Sequence, residues 1–190
     1  NQKSLVVSLN NTKGDDAVVS TSIMKWDTND VDGVPVTSTV PLTDEESKLF
    51  TLFPPVRNIE GKKTFTTRII YLGERSDVQG SYRILFKVEP RIKSEEEEIT
   101  NVERDVYITP VFNLPLLIDP LVKNEQIDIK KVGENIVVKN SGNVAFKSYY
   151  KIDGVAVVDG KGSEIPTPVL LPNKTWTVKA KSIELGKNLY

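Results

Sequence analysis

The stretch Asp105–Pro120, DVYITPVFNLPLLIDP, constrains this chain more than any other. Its even positions, Val106, Ile108, Pro110, Phe112, Leu114, Leu116 and Ile118, are all apolar, while the odd positions between them are mixed and partly polar. Strand side chains alternate faces with a period of two, so the pattern predicts one long strand with a continuous apolar face. That strand is well beyond the usual length of about 5–6 residues. Pro110 and Pro115 have no N–H to give to a ladder, which places the strand at a sheet edge, on one side at least. Soluble proteins normally avoid a long apolar edge because it templates pairing with another chain. An ordinary half-buried sandwich strand would show the same alternation. The length, the edge prolines and the charged segment before it favour a strand kept for sharing.

The 190 residues suffice for one large or two small domains, either of which could bury a core. Charged residues make up 27% and hydrophobic residues 38%, the balance of a soluble globular protein. A net charge of −1 gives no basic field, so neither nucleic acid nor an anionic membrane is an expected partner. No apolar run approaches the roughly 18 residues of a membrane span, so membrane insertion is not expected. The chain begins at Asn1 without a methionine, as a processed product would, which leaves secretion open.

Cysteine and histidine are both absent. Without cysteine there are no disulfide staples, thiolate nucleophiles or thiolate metal sites. Without histidine the commonest general base and the commonest transition-metal ligand are gone. A carboxylate pair could still do acid–base work. Asp27, Asp30, Asp32 and Glu95 to Glu98, however, sit in loop-like runs without distinctive spacing. The expectation is a protein that is not an enzyme and needs no cofactor or metal.

Along the chain, Lys3–Leu9 and Ala17–Trp26 read as strands around an Asn10–Gly14 turn. In the second of these, Val19, Thr21 and Ile23 share one face, and Val18, Ser20, Ser22, Met24 and Trp26 the other. Asp27–Gly33 reads as a polar loop, and Leu49–Phe53 as a short apolar run stopped by Pro54-Pro55. Thr64–Leu72 alternates with Phe65, Thr67, Ile69 and Tyr71 inward. Ser81–Val88 does so with Tyr82, Ile84, Phe86 and Val88 on one side and Arg83, Leu85 and Lys87 on the other. Arg91–Arg104 is a charged, solvated connector. Beyond Pro120 the pattern restarts at a smaller scale: a hairpin around Gly133, a turn at Asn140–Asn143, hairpin-type turns at Asp153-Gly154 and Asp159-Gly160, and an alternating run behind Trp176. No helical period is sustained. Many short strands with turn chemistry between them predict an all-β chain of two β-sandwich domains, 1–120 and 121–190. The second, at about 70 residues, is small beside an Ig module of roughly 100.

Four motifs, in this order, carry a resemblance to the periplasmic chaperones of the chaperone–usher pilus pathway, the PapD-like family. They are the strand, Asn turn and strand ending in Trp from Ser4 to Trp26; Phe53–Lys62 with Thr67–Tyr71 after it; Ser81–Phe86 ending at Glu89-Pro90; and Leu114–Pro120 with the Asn140–Asn143 turn beyond. The family's usual opening strand, which carries a cleft arginine, has no counterpart here. The lysine that pairs with that arginine to hold a subunit's terminal carboxylate falls at Pro115. These departures resemble the archaic or alternative branches.

The resemblance implies two Ig-like domains in an L-shaped arrangement, a periplasmic location, pilin (fimbrial) subunits and an outer-membrane usher as partners, and no ATP. It implies donor-strand complementation, in which Val106, Ile108, Pro110, Phe112 and Leu114 fill the groove of an incomplete subunit, while Leu116 and Ile118 pack at home. Arg68, Arg83 and Lys123 are candidates for a replacement carboxylate anchor. A free apolar edge also allows self-association through the same strand. A secreted Ig-like pilin or adhesion subunit would carry such a strand at a terminus, whereas here it lies inside the chain.

Overall fold

The computed structural model describes residues 4–12, 14–91 and 109–190. Strands β1 (Ser4–Asn10) and β2 (Ala17–Val31) flank the first turn, and β3 (Val34–Val40) returns along β2. A single helical turn comes next, α1 (Asp44–Ser47), closed by a capping box: Glu46 N donates to Thr43 Oγ1 and Thr43 N to the Glu46 carboxylate. Then come β4 (Phe50–Phe53), β5 (Val56–Ile59), β6 (Thr64–Tyr71), β7 (Gly80–Pro90) and β8 (Val111–Ile118). The remaining chain forms β9 (Ile127–Val132), β10 (Asn135–Asn140), β11 (Tyr150–Ile152), β12 (Val155–Ala156), β13 (Thr175–Lys179) and β14 (Ile183–Leu185).

Among the described residues these strands form four sheets, with strand orders β1-β6-β4, β3-β2-β7-β8, β13-β10-β9 and β12-β11-β14; β5 also pairs with β2. The chain is all-β, as the alternation predicts. It divides into two compact units that interleave in sequence. The first takes residues 1–24, 41–73 and 83–114, and the second residues 25–40, 74–82 and 115–190. Strands β2, β7 and β8 therefore lend residues to both.

In the first unit, the inward faces of β6 and β7 are those that alternation assigns. Phe65, Thr67, Ile69, Ile84 and Phe86 are buried, and Phe65 meets Phe86 edge-on with ring centroids 6.3 Å apart. On β2 the buried side chains are Ala17, Val19, Thr21 and Ile23.

The second unit corrects one expectation. Asp27–Gly33 is not a loop: β2 continues through it, and Asp32 and Gly33, both at positive φ, form the two-residue turn into β3. Its polar residues misled because a strand needs only one face covered; Thr28 is buried while Asn29 and Asp30 face solvent. Trp26, on the face of β2 opposite Val19, is buried as well. The buried set shifts from odd to even positions along β2, and Trp26 packs with Ala145 and Leu171 in the second unit. Strict alternation fails because one strand serves two interiors. At the turn, Thr177 N donates to Gly33 O at 2.5 Å, and a Cβ on Gly33 would stand 2.6 Å from Thr177 Cβ. Only glycine fits that approach at a φ of 79°.

The second unit's larger core joins Ile136, Val138, Phe146, Leu170, Trp176 and Ala180, with Tyr150 edge-on to Trp176 at 5.2 Å. Burial pushes the Tyr150 hydroxyl above its usual pKa. The Asn140–Asn143 turn is fully employed. Asn140, 1% exposed, donates from Nδ2 to the carbonyls of Val144 and Leu170, at 2.8 Å each, and accepts from Gly142 N. Asn143 Nδ2 donates to the carbonyls of Asp77 and Val122, and its Oδ1 accepts from Asn124 N. Buried Gln79 joins the same turn to the end of β8, donating to Asp119 Oδ1 and accepting from Ala145 N.

Candidate functional site: the β8 edge of the first unit

Of the stretch that organises the sequence, residues 105–108 lie outside the described residues, and Val106 and Ile108 with them. The remainder of the stretch is a sheet edge. β8 ends its sheet, with β7 on one side and, among the described residues, no strand on the other. Val88 N donates to Pro110 O at 3.1 Å, so the Pro110 carbonyl faces β7.

Exposure along β8 changes abruptly. Residues 111–115 are exposed on both faces, with Val111 at 55%, Phe112 at 47% and Leu114 at 41%. Leu116 is 9% exposed and Ile118 half-buried. The apolar alternation is thus one pattern with two fates. Leu116 and Ile118 serve the protein's own packing, and Pro110, Phe112 and Leu114 remain available. A large aromatic at nearly half exposure on an unpaired edge is what a shared strand presents.

Pro110 and Phe112 also line a cavity of about 340 Å3 in the first unit. Leu9 of β1, Val19 of β2, Ile59 of β5 and Val88 of β7 supply its other apolar walls, and Asp15 and Asp16 its acidic side. Asp16 Oδ1 accepts from Gly61 N at 3.2 Å, and its carbonyl accepts from Arg91 N. Leu9, Val19, Ile59 and Val88 escape a reading of the sequence because they come from four strands. Only the tertiary fold brings them beside Phe112.

The three candidate anchors stand on different elements. Arg68 lies on the exposed face of β6, flanked across the ladder by Val6 and Phe53, which are 53% and 74% exposed. Arg83 is half-buried on β7, on the face opposite Tyr82, Ile84 and Phe86. Lys123, after β8, is paired with Asp119 at 3.0 Å. Burial raises the Asp119 pKa, but the hydrogen bonds from Lys123 and Gln79 outweigh it and hold the carboxyl below its usual range. No group of three or more aspartates or glutamates that could hold a metal comes together among the described residues.

No family model matches the chain, and no curated protein matches it by sequence. Solved structures do match. The class 5 fimbriae chaperone CfaA superposes with a TM-score of 0.65 at 14% identity, over 99% of this chain and 87% of that one. This chain has the fold of a fimbrial chaperone. A chain of the CsuC–CsuE chaperone–tip adhesion subunit pre-assembly complex, from archaic chaperone–usher Csu pili of Acinetobacter baumannii, matches with a TM-score of 0.60 at 16% identity, covering 94% of this chain and 83% of that one. A chain of the Salmonella enterica SafA pilin in complex with the SafB chaperone matches with a TM-score of 0.61 at 16% identity, over 95% and 80%. At this identity the likeness is one of fold, and the side chains of β8 have to carry the rest.

Proposed function

We propose that this protein is a periplasmic chaperone that captures pilus subunits by donor-strand complementation and passes them to an outer-membrane usher. The observation that carries the proposal is the edge of β8, unpaired among the described residues, with Phe112 and Leu114 exposed along it. Two of the matching structures are complexes of a chaperone with a subunit, CsuC with CsuE and SafB with SafA.

The physics is that of strand addition. A guest lacking one strand presents unpaired backbone and an open apolar groove; an added strand supplies main-chain hydrogen bonds, and alternate side chains set the register. Pro110, Phe112 and Leu114 are the donors, continued by Val106 and Ile108 on the strength of alternation. Each fully buried donor would contribute roughly 1.5–3 kcal/mol, enough in combination to exceed the cost of association. Pro110 gives no N–H, but its carbonyl faces β7, so the missing donor lies on the β7 side and the guest's ladder is not interrupted there. Subunit binding is assigned to the part of the chain before residue 121, of which 25–40, 74–82 and 115–120 pack with residues 121–190 in the second unit. Arg68, between two exposed apolar side chains on a sheet face, suits a carboxylate contact best among the three cations.

The test is co-expression with a subunit of its own pilus system. The wild type should co-purify with the subunit one to one, whereas a pilin would polymerise. Ile108→Glu combined with Phe112→Glu should abolish capture and leave the circular dichroism and Tm of the free protein unchanged. A double variant that still protects the subunit would remove β8 as the donor.

A further inference from the structure

The cavity beneath Phe112 is not needed to explain donation, since a donor strand gives side chains away. Yet the first unit keeps an open apolar space beside its donors. Its lining includes Leu9 of β1 and Phe112 of β8, and each of those strands ends its sheet among the described residues. Two edges thus border one cavity, with Val19, Ile59 and Val88 as further lining.

A strand added to β8 must place its side chains alternately on the two faces of that sheet. Residues directly opposite one another on neighbouring strands share a face. Pro110 and Phe112 line the cavity, so guest residues opposite them are directed to the same space. An apolar lining favours an apolar occupant. Its acidic side favours a cation: Asp15 is exposed, and its carboxylate accepts no hydrogen bond among the described residues, while one oxygen of Asp16 is already held by Gly61 N.

We propose that the exchange is reciprocal: the guest strand on β8 sends an apolar side chain into the cavity bordered by Leu9, Val19, Ile59 and Val88, and a lysine or arginine next to it on the guest pairs with Asp15 and Asp16. This rests on the donor-strand function above and adds a preference, for guests whose strand carries a basic residue beside the inserted one.

Two synthetic acetylated peptides of alternating threonine and valine test it, each with one central phenylalanine and, two residues away, either lysine or glutamate. Calorimetric titration of the full chain should find the lysine peptide about threefold tighter at low salt, the size of an exposed ion pair. That preference should vanish in roughly 1 M salt and in Asp15→Asn. Leu9→Trp, which fills the cavity, should weaken both peptides about tenfold, a loss of about 1.4 kcal/mol. Equal affinities for the two peptides, no binding of either, or a preference that survives Asp15→Asn would overturn the proposal. Asp15 is an exposed turn residue, so its variant remains informative if Leu9→Trp fails to fold. Neither peptide is a pilus subunit. Loss of the peptide preference with subunit capture intact sinks the cavity alone, and failed capture by the wild type sinks the donor strand.

Discussion

The two compact units of this chain treat the same material in opposite ways. The second closes its interior: Trp176, Leu170 and Val138 are sealed, and the buried amides of Asn140 and Gln79 find partners at both ends. The first has an equally well-buried centre at Phe65 and Phe86, but beside it lie an open cavity and an apolar edge that no described strand pairs. β8 contains both behaviours within one strand, exposed through Pro115 and buried from Leu116. Stability and availability have been separated along the chain. An apolar edge can be left open for a partner when neighbouring residues hold the strand in place.

The sharpest way to break that comparison is to damage the closed unit. Asn140→Ala would remove a buried amide and its three hydrogen bonds, leaving the Val144 carbonyl without that donor while Leu170 O keeps Phe146 N and Gly142 N keeps Gln126 O, at a cost of about 3 kcal/mol in urea unfolding. A cost under about 1 kcal/mol would mean that the turn is not the fastening it looks to be. Next in size is the pair Leu116→Ala and Leu114→Ala. The first should cost about 2–3 kcal/mol and the second about 0.5 kcal/mol or less, although the residues are two apart on one face of one strand. Equal costs would erase the division of β8. Gly33→Ala should cost about 1–2 kcal/mol, from backbone strain and the approach to Thr177.

The sequence made some of this legible and hid the rest, for physical reasons. Period-two alternation in Thr64–Tyr71 and in β7 names the buried faces correctly, because β6 lies wholly in one unit and the buried parity of β7 runs unbroken through Tyr82, Ile84 and Phe86. It does not by itself tell that both faces of β2 are buried in turn: the strand passes from one unit to the other and the buried parity shifts before Trp26. It fails at Asp27–Gly33, where polar composition looks like a loop but β3 supplies a full ladder. At β8 the pattern announces an apolar face and leaves open where that face stops being the protein's own. Exposure supplies the answer, at Leu116. The cavity lining was hidden because Leu9, Val19, Ile59 and Val88 are ordinary strand residues one by one and meet only in three dimensions.

The smallest effect concerns charge in the closed unit. Lys174 bonds Asp27 at 3.0 Å, and that hydrogen bond, with a further one from Thr28 N, holds the carboxyl below its ordinary pKa although burial works the other way. A depressed folded-state pKa adds stability that is fully present above the unfolded value of about 3.9 and is lost as pH falls through the folded one. Asp27→Asn should therefore flatten the acid limb: the loss of stability between about pH 6 and about pH 3 should shrink, by less than about 1 kcal/mol. The side chains are about two-fifths exposed, which keeps the effect that small. The Leu114→Ala protein should keep the whole acid limb, since Leu114 touches neither partner's charge. An acid limb unchanged in Asp27→Asn would show that the closed unit owes its pH dependence to other carboxylates, Asp119 first among them, because Lys123 and Gln79 hold it low against its burial.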